Sequence, residues 1–271
     1  MTASTPLIGK FTSVARAAGA AERTHRVVLS ALAATLAFVF VSGVTNDDML
    51  KVYVATLRIV DGQLPYRDFY PQNVPLANVL AAPVFAVVPT IGIAALILAI
   101  VLNVIATLLM YGLILGLTAD RRAALVAGLL TALWYCQIGG YYFDQVAYLF
   151  GLAAFARYAS RSDGAGVGAT EGLLLGCGGL AKQTVGTFVF AAFVATVLLA
   201  RGWKPLLRRQ FLAGLFVPPL ALCAYLAAID GWQGFYASAI VQPAEYARGG
   251  TNLWRLAIDF LRPWKIGRAH V

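Results

Sequence analysis

The chain has 271 residues, of which 60% are apolar or aromatic and only 12% are charged. About a quarter of the residues in an ordinary soluble domain are charged, so this composition leaves too few polar side chains to cover a globular surface. The charges also cluster between long uncharged runs, which is typical of a chain that crosses a bilayer several times. The composition therefore excludes a soluble protein and predicts an all-α, polytopic bundle of transmembrane helices.

The net charge of +9 comes from 21 lysines and arginines against 12 aspartates and glutamates. In a soluble chain such an excess would point to a nucleic-acid partner, but here the basic residues lie mainly in short connections between apolar segments. The preference of Lys and Arg for the cytoplasmic side of a membrane explains them better. We therefore expect membrane lipids, and no nucleic acid, among the partners.

The first 26 residues are basic and polar, and we expect them to form a cytoplasmic tail. The next run, residues 27–44, is apolar and long enough to cross a membrane. A cleaved signal peptide ending near Gly43 is the alternative, but the sequence there only weakly imitates a cleavage site. We expect an uncleaved first span with the amino terminus in the cytoplasm.

Residues 45–75 form a polar stretch that we expect outside the membrane. Apolar residues recur at helical spacing in its first half, as far as Asp61-Gly62, while Thr56 and the basic residues take other faces. This half is predicted to be an amphipathic helix lying on the membrane. Prolines at positions 65, 71 and 75 exclude a regular helix from the second half, which is predicted to be a loop. The apolar positions of the helix are Leu50, Tyr53, Val54, Leu57 and Val60.

Seven further apolar segments follow this external stretch. Residues 76–88 are too few to cross a bilayer, so we expect a re-entrant segment there, whereas residues 91–117 are ample. This count places Arg121 and Arg122 in the cytoplasm, together with the basic residues at 201–209. The remaining predicted segments are residues 123–138, 145–158, 172–181, 184–200 and 211–229.

The segments on either side of Lys182-Gln183 are predicted to form a hairpin with these two residues near its outer tip. Gly176, Gly178 and Gly179 precede the tip, and glycines at such spacing let helices approach closely. On this arrangement residues 139–144 lie at the same outer face.

The last seven residues, 265–271, match the in-frame translation of a widely used sequencing-library adapter. We expect that they are a sequencing scar and that residues 27–264 are a truncated membrane domain of a longer protein. The alternative is an ordinary polar C-terminus that has this heptapeptide by coincidence.

Ionisable residues stand out at three places because apolar sequence surrounds them. Asp47 and Asp48 follow the first span, Asp144 lies among aromatic residues, and Lys182 interrupts a long uncharged run. An ionisable group in such a position needs a partner or water and is a candidate for function. The alternatives are a helix cap for the two aspartates, an aromatic belt at the membrane surface around Asp144, and a snorkelling lysine at a hairpin tip.

The order and spacing of these motifs resemble the glycosyltransferase C superfamily, whose members transfer sugars from polyprenyl-phosphate carriers and include aminoarabinose transferases and protein O-mannosyltransferases. The resemblance covers residues 27 to about 230. The matching stretches are Asp47-Asp48, Asp61-Gly62 and Pro65-Tyr66-Arg67-Asp68 with Pro75, then Gly140-Tyr141-Tyr142-Phe143-Asp144, then Gly176-Cys177-Gly178-Gly179-Leu180-Ala181-Lys182-Gln183.

The resemblance implies an inverting transfer of a sugar from a polyprenyl-phosphate donor to a glycan, lipid or protein acceptor at the external face. Asp47 matches the family's general base. Asp48 lies beside it where the family usually has a glutamate, so a divalent metal at this pair stays open, and no other cofactor is expected.

The resemblance also implies where the substrates bind. Asp144 would shape the sugar or acceptor site, and Lys182 with Gln183 would hold the carrier phosphate. Aminoarabinose transferases have a lysine where this chain has Val74, so phosphate binding would rest on Lys182 and on Arg67 of the external loop. Asp68 is included in this loop site, with a simple local ion pair to its neighbour as the alternative.

A multi-pass transporter or lipid-carrier flippase without transferase chemistry is the main alternative function. A transporter places ionisable residues near the middle of the bilayer, along a path between the two faces. Here Asp47, Asp144 and Lys182 are all predicted to lie on one side, which favours the transferase. A structural assembly protein is a third possibility, in which these acids would be freely replaceable.

Overall fold

The computed structural model describes the backbone of residues 6–41, 47–71, 74–88, 90–136, 141–160 and 166–241, and within them the side chains of all but residues 6–21, 41 and 47–49. Every regular element in these ranges is helical, and the one β-type contact among them is an isolated bridge between Pro65 and Phe69. The predicted all-α class is confirmed for this part of the chain.

The described helices follow closely on one another along the chain. A 3₁₀ turn, Lys204–Leu207, joins the eighth helix to the ninth, and a π-helical turn, Ala237–Val241, follows the tenth. The helices are α1 Pro6–Val41, α2 Asp47–Val60, α3 Leu76–Val87, α4 Ile91–Thr118, α5 Arg121–Cys136, α6 Phe143–Ala159, α7 Ala169–Ala181, α8 Gln183–Arg201, α9 Arg209–Ile229 and α10 Trp232–Tyr236.

Four of the described helices are long and apolar enough to cross a membrane, which indicates a membrane protein. They are Glu22–Phe40 within α1, and α4, α8 and α9. Helix α3 has 12 residues and is about 18 Å long, well short of the roughly 30 Å hydrocarbon core. The sequence predicted a re-entrant segment too short to cross there, and the short length is confirmed. Helix α1 begins at Pro6, before the predicted start of the span, so much of the basic tail continues the span as helix.

Helices α6, α7 and α8 run alternately in opposite directions. Gly178, near the end of α7, lies against Ala147, near the start of α6. Gly186 in α8 packs so closely on Gly179 that a methyl group there would lie 2.6 Å from its backbone. The predicted hairpin around Lys182 is therefore present, with the lysine at its tip.

Helices α7 and α9 run parallel to each other with their backbones in direct contact. A methyl group at Gly172 would overlap the carbonyl oxygen of Phe211, and one at Gly176 would lie 2.6 Å from that of Leu215. From the other side, a methyl group at Gly214 would overlap the carbonyl oxygen of Ala169. Small residues thus set the distance between these helices, as they do in many membrane helix pairs.

Polar contacts connect α4 to α1 and α5. The amide of Asn103, in the middle of α4, donates hydrogen bonds to the carbonyl oxygens of Ala33 in α1 (2.9 Å) and Ala132 in α5 (3.2 Å). Nearer the end of α4, the hydroxyl of Tyr111 lies 3.4 Å from Nδ1 of His25. Both neighbours therefore run antiparallel to α4.

The helix directions define two ends of the bundle. We call the end with α2, α3, the start of α6 and the tip of the α7–α8 hairpin the loop end, and the opposite end the basic end. The described loop-end side chains include four bases and four acids: Lys51, Arg58, Asp61, Arg67, Asp68, Asp144, Lys182 and Asp230. The basic end has nine bases and three acids: Glu22, Arg23, Arg26, Asp120, Arg121, Arg122, Arg157, Glu171, Arg201, Lys204, Arg208 and Arg209.

Helix α2 ends at Val60 as predicted, but its faces differ from the prediction. Thr56 was placed away from the packed face and is fully buried, because the amide of Asn78 in α3 donates to its Oγ1 (3.1 Å) and to the carbonyl oxygen of Val52 (2.9 Å). Leu50 and Val54 are about half exposed instead. The helix thus has one apolar face against α3 and a second one facing outward.

Candidate functional site

Asp144 and Lys182 form an ion pair at the loop end. Nζ of Lys182 lies 3.2 Å from Oδ1 of Asp144, and the two side chains are only 20% and 30% exposed, respectively. Within the described residues this oxygen is buried and has no aligned hydrogen bond, so charge rather than hydrogen-bond geometry holds the pair together. The sequence singled out each residue, and the fold brings them into contact.

The ends of two antiparallel helices explain why these residues meet. Asp144 lies in the first turn of α6, where the helix dipole favours a negative charge. Lys182 directly follows the last residue of α7, where the dipole favours a positive charge. Because α6 and α7 are antiparallel, these two complementary ends are adjacent.

Lys182 also opens the next helix. Its backbone is extended, with φ −154° and ψ 112°, so it ends α7 and precedes α8 with no side chain capping the new helix. The first N–H groups of a helix have no partner within the helix, and together they attract anions. The lysine ammonium group and the start of α8 therefore offer positive charge at one place.

Neighbouring side chains support both members of the ion pair. The ring of Tyr142 lies 5.1 Å from Nζ of Lys182, a cation–π contact. The buried side chain of Gln145 accepts a hydrogen bond from the Tyr142 backbone (3.2 Å) and donates one to the carbonyl oxygen of Tyr135 at the end of α5 (2.8 Å). Sequence reasoning missed Gln145, since a lone glutamine after an aspartate carries no recognisable signal.

Helices α2 and α3 pack against the residues next to this ion pair. The hydroxyl of Tyr141 donates a hydrogen bond to the carbonyl oxygen of Ala77 in α3. Val52 and Tyr53 of α2 lie in one buried cluster with Tyr141 and with Ala181, the residue before Lys182. Helix α2 and the Asp144–Lys182 pair therefore belong to one packed unit.

Asp47 and Asp48 are the first two residues of α2. Their side chains lie outside the described residues, so their predicted roles, including the divalent metal, stay predictions. Among the described residues, no group of three His, Cys, Asp or Glu side chains is placed to hold a metal ion. Gln183 begins α8 and is half-buried, and its carbonyl oxygen accepts a hydrogen bond from Oγ1 of Thr187 (2.7 Å).

Arg67 and Asp68 form a local ion pair in the loop between α2 and α3. The guanidinium donates to both carboxylate oxygens of Asp68, at 2.9 and 3.1 Å, and the backbone N–H of Leu64 donates to one of them at 2.8 Å. These hydrogen bonds hold the pKa of Asp68 below its usual range, and the one from Arg67 has the largest effect. The pair organises the turn of the loop.

The loop between α2 and α3 has a defined structure and packs against α9 and α10. Tyr66 has a positive φ of 71°, which is unfavourable for a residue with a side chain, and its N–H donates to the carbonyl oxygen of Phe69 (2.7 Å). Its buried ring packs edge-on against Phe235 of α10, with 5.4 Å between ring centroids. The hydroxyl of Tyr225 in α9 donates to the carbonyl oxygen of Pro65 (3.0 Å). Sequence reasoning missed these contacts with α9 and α10.

An apolar groove of about 580 Å³ lies between this loop and helices α3, α7 and α9. Leu180 and Cys177 of α7 line one wall, and Leu180 precedes Lys182 by two residues in the chain. Val79 of α3 and Tyr225 of α9 line the other walls. The groove is apolar and lies at the loop end, the same end of the bundle as the Asp144–Lys182 pair.

Acid should loosen the loop between α2 and α3 through Asp68. Because its pKa is depressed in the folded state, its contribution to stability is present above the ordinary Asp pKa of about 4 and is lost as the pH falls through the lower folded value. We expect a nitroxide label at the exposed position 63 to be immobile at pH 6 and to become mobile only below about pH 4. In an Asp68→Asn variant the label should already be mobile at pH 6 and respond little to acid.

Comparison with protein-family models, with curated proteins and with solved structures finds no match for this chain.

Proposed function

We propose that this protein is a membrane glycosyltransferase that moves a sugar from a polyprenyl-phosphate carrier to an acceptor at the outer face of the membrane. The observation that carries the proposal is the Asp144–Lys182 ion pair at the break between α7 and α8, at the same end of the bundle as an apolar groove. A lipid phosphate needs both a cation for its headgroup and an apolar surface for its chain, and the loop end offers the two together.

The proposed reaction is a single displacement with inversion. Asp47 takes the proton of the acceptor hydroxyl, whose oxygen attacks the anomeric carbon of the sugar. The bond between that carbon and the phosphate oxygen breaks, and the electron pair leaves with the polyprenyl phosphate. Asp48 supports the base, and a divalent metal at this pair would stabilise the leaving phosphate if it is bound there.

Lys182 holds the carrier phosphate in this proposal. An ammonium group has three donors, so the contact with Asp144 leaves others for phosphate oxygens. The start of α8 adds the positive end of a helix dipole. As negative charge grows on the leaving phosphate, both groups stabilise it more strongly, so Lys182 contributes to the rate as well as to binding.

Asp144 and the Arg67–Asp68 ion pair have positioning roles. Asp144 fixes the direction of the Lys182 side chain and shapes the sugar side of the site. Gln183, next to Lys182 in the chain, lies on the side of the carrier phosphate. Arg67 and Asp68 stabilise the loop that lines one side of the groove, so their effect on the donor is indirect.

The distribution of charge favours this function over a transporter. The described acidic and basic side chains lie toward the two ends of the bundle, while the middle of α4 has the neutral Asn103 and Thr107 as buried polar groups. A transporter needs ionisable groups or an interrupted helix near the middle of the membrane. The helix break at Lys182 is at an end instead.

Replacing Lys182 tests the proposal. Lys182→Ala should weaken binding of a synthetic polyprenyl-phosphate sugar by about 10- to 100-fold, because a charge-assisted contact with phosphate is worth about 1.5 to 3 kcal/mol. The measurement is the dissociation constant from titration of the detergent-solubilised protein. Lys182→Arg should recover part of the affinity.

Arg122→Gln provides the matched control, since it removes an exposed positive charge at the basic end. It should leave donor affinity unchanged. Equal donor affinities for wild type and Lys182→Ala would show that Lys182 does not bind the carrier phosphate. The lysine would then be a snorkelling residue.

A further inference from the structure

The connection between α8 and α9 lies where phospholipid headgroups lie. Both helices are long and apolar enough to cross a membrane, so the residues between them are at a membrane surface. Gly202, with φ 71°, ends α8, and the 3₁₀ turn Lys204–Leu207 leads into α9. The connection is thus short, structured and fixed at the boundary between lipid and water.

Two large apolar side chains of this connection face away from the protein. Trp203 is 60% exposed and Leu207 is 59% exposed, whereas Pro205 is buried and Leu206 packs against the core cluster that contains Phe193. Pro205 and Leu206 therefore anchor the 3₁₀ turn to the protein. Trp203 and Leu207 face outward and can enter the interface between lipid and water. Tryptophan favours this zone because its ring is apolar and its N–H can reach polar groups.

Exposed positive charges flank these apolar side chains. Lys204 lies next to Trp203, and Arg209 is two residues after Leu207. The surrounding end of the bundle has nine bases against three acids among its described side chains, whereas the loop end is balanced. Such a surface attracts an anionic headgroup more strongly than a zwitterionic one.

We infer that the α8–α9 connection is a binding site for an anionic phospholipid such as phosphatidylglycerol. Lys204 and Arg209 contact the phosphate, while Trp203 and Leu207 pack against the glycerol and the first methylenes of the acyl chains. Phosphatidylcholine lacks the net charge that this pair of bases recognises. The site is at the opposite end from the Asp144–Lys182 pair and does not depend on the proposed function.

Photocrosslinking tests this site in the intact chain. The protein is reconstituted into phosphatidylcholine vesicles that contain a trace of photoactivatable phosphatidylglycerol or photoactivatable phosphatidylcholine. Crosslinks are then mapped by mass spectrometry. Residues 202–209 should react several-fold more with the phosphatidylglycerol probe. A Lys204→Gln/Arg209→Gln variant should lose this preference, because each charge near the membrane surface contributes up to about fivefold.

The controls separate this site from general attraction to a basic surface. Lys204 and Arg209 are exposed, so the variant keeps the buried Pro205 and should fold normally, as its unfolding temperature will report. Arg122→Gln removes a charge at the same end and should leave the preference at 202–209 unchanged. Excess inorganic phosphate should not displace the lipid. Equal labelling by both probes, an equal loss in Arg122→Gln, or displacement by phosphate would overturn the inference.

Discussion

Gly214→Ala is expected to destabilise the protein by about 3 kcal/mol, although alanine favours a helix more than glycine does. A methyl group at position 214 would overlap the carbonyl oxygen of Ala169, a backbone atom that cannot rotate away. The two helices would have to move apart, and the contacts around Gly172 and Gly176 would be lost with them. The measurement is the unfolding temperature in detergent, which should fall by several degrees.

Gly112→Ala and Gly116→Ala are the matched controls for this prediction. Both glycines lie within α4, and a methyl group at either position would meet no atom within 4 Å. These variants should be as stable as the parent or up to about 1 kcal/mol more stable, because alanine has the higher helix propensity. If Gly214→Ala behaved like them, α7 and α9 would not be in backbone contact.

Asp47→Asn is expected to reduce sugar transfer by a factor of about 10² to 10⁴, with donor binding close to normal. Asparagine keeps the shape of the side chain but cannot take the proton of the acceptor hydroxyl, so general-base assistance is lost. The measurement is the initial rate of transfer from a labelled polyprenyl-phosphate sugar, together with the donor dissociation constant. Lys182→Ala should show the opposite balance, mainly weaker binding.

Asp48→Asn is the control for the base, since it removes the same charge one residue away. If both asparagine variants transferred sugar at the wild-type rate, neither aspartate would be the general base. The pair would then only cap the start of α2, and the proposed mechanism would lack its base. A loss in Asp48→Asn alone would exchange the roles of the two residues.

The positions of the helices were largely predictable, because apolar runs, prolines and Asp61-Gly62 mark their ends in the sequence. The hairpin tip was predictable for the same reason, since Lys182 interrupts an uncharged run and glycines precede it. The sequence did not predict which residues of α2 are buried. Thr56 is buried because Asn78 satisfies its hydroxyl, and a polar pair that packs across two helices leaves no periodic pattern in either one.

The candidate site was predictable as separate residues rather than as an arrangement. Asp144 and Lys182 stood out because apolar sequence surrounds them, but their contact depends on α6 and α7 being antiparallel. The side chains of Gln145 and Tyr225 bind backbone groups, which every sequence offers at every position. Such contacts are set by the tertiary fold alone.

The most direct test of the proposed function follows a labelled polyprenyl-phosphate sugar in sealed vesicles that contain the protein. A transferase breaks the bond between sugar and phosphate, whereas a flippase moves the intact carrier between leaflets. We predict that wild type releases the label from the lipid to an acceptor and that Asp47→Asn does not. Intact labelled carrier appearing in the opposite leaflet, with no cleavage of the sugar–phosphate bond, would contradict the proposal.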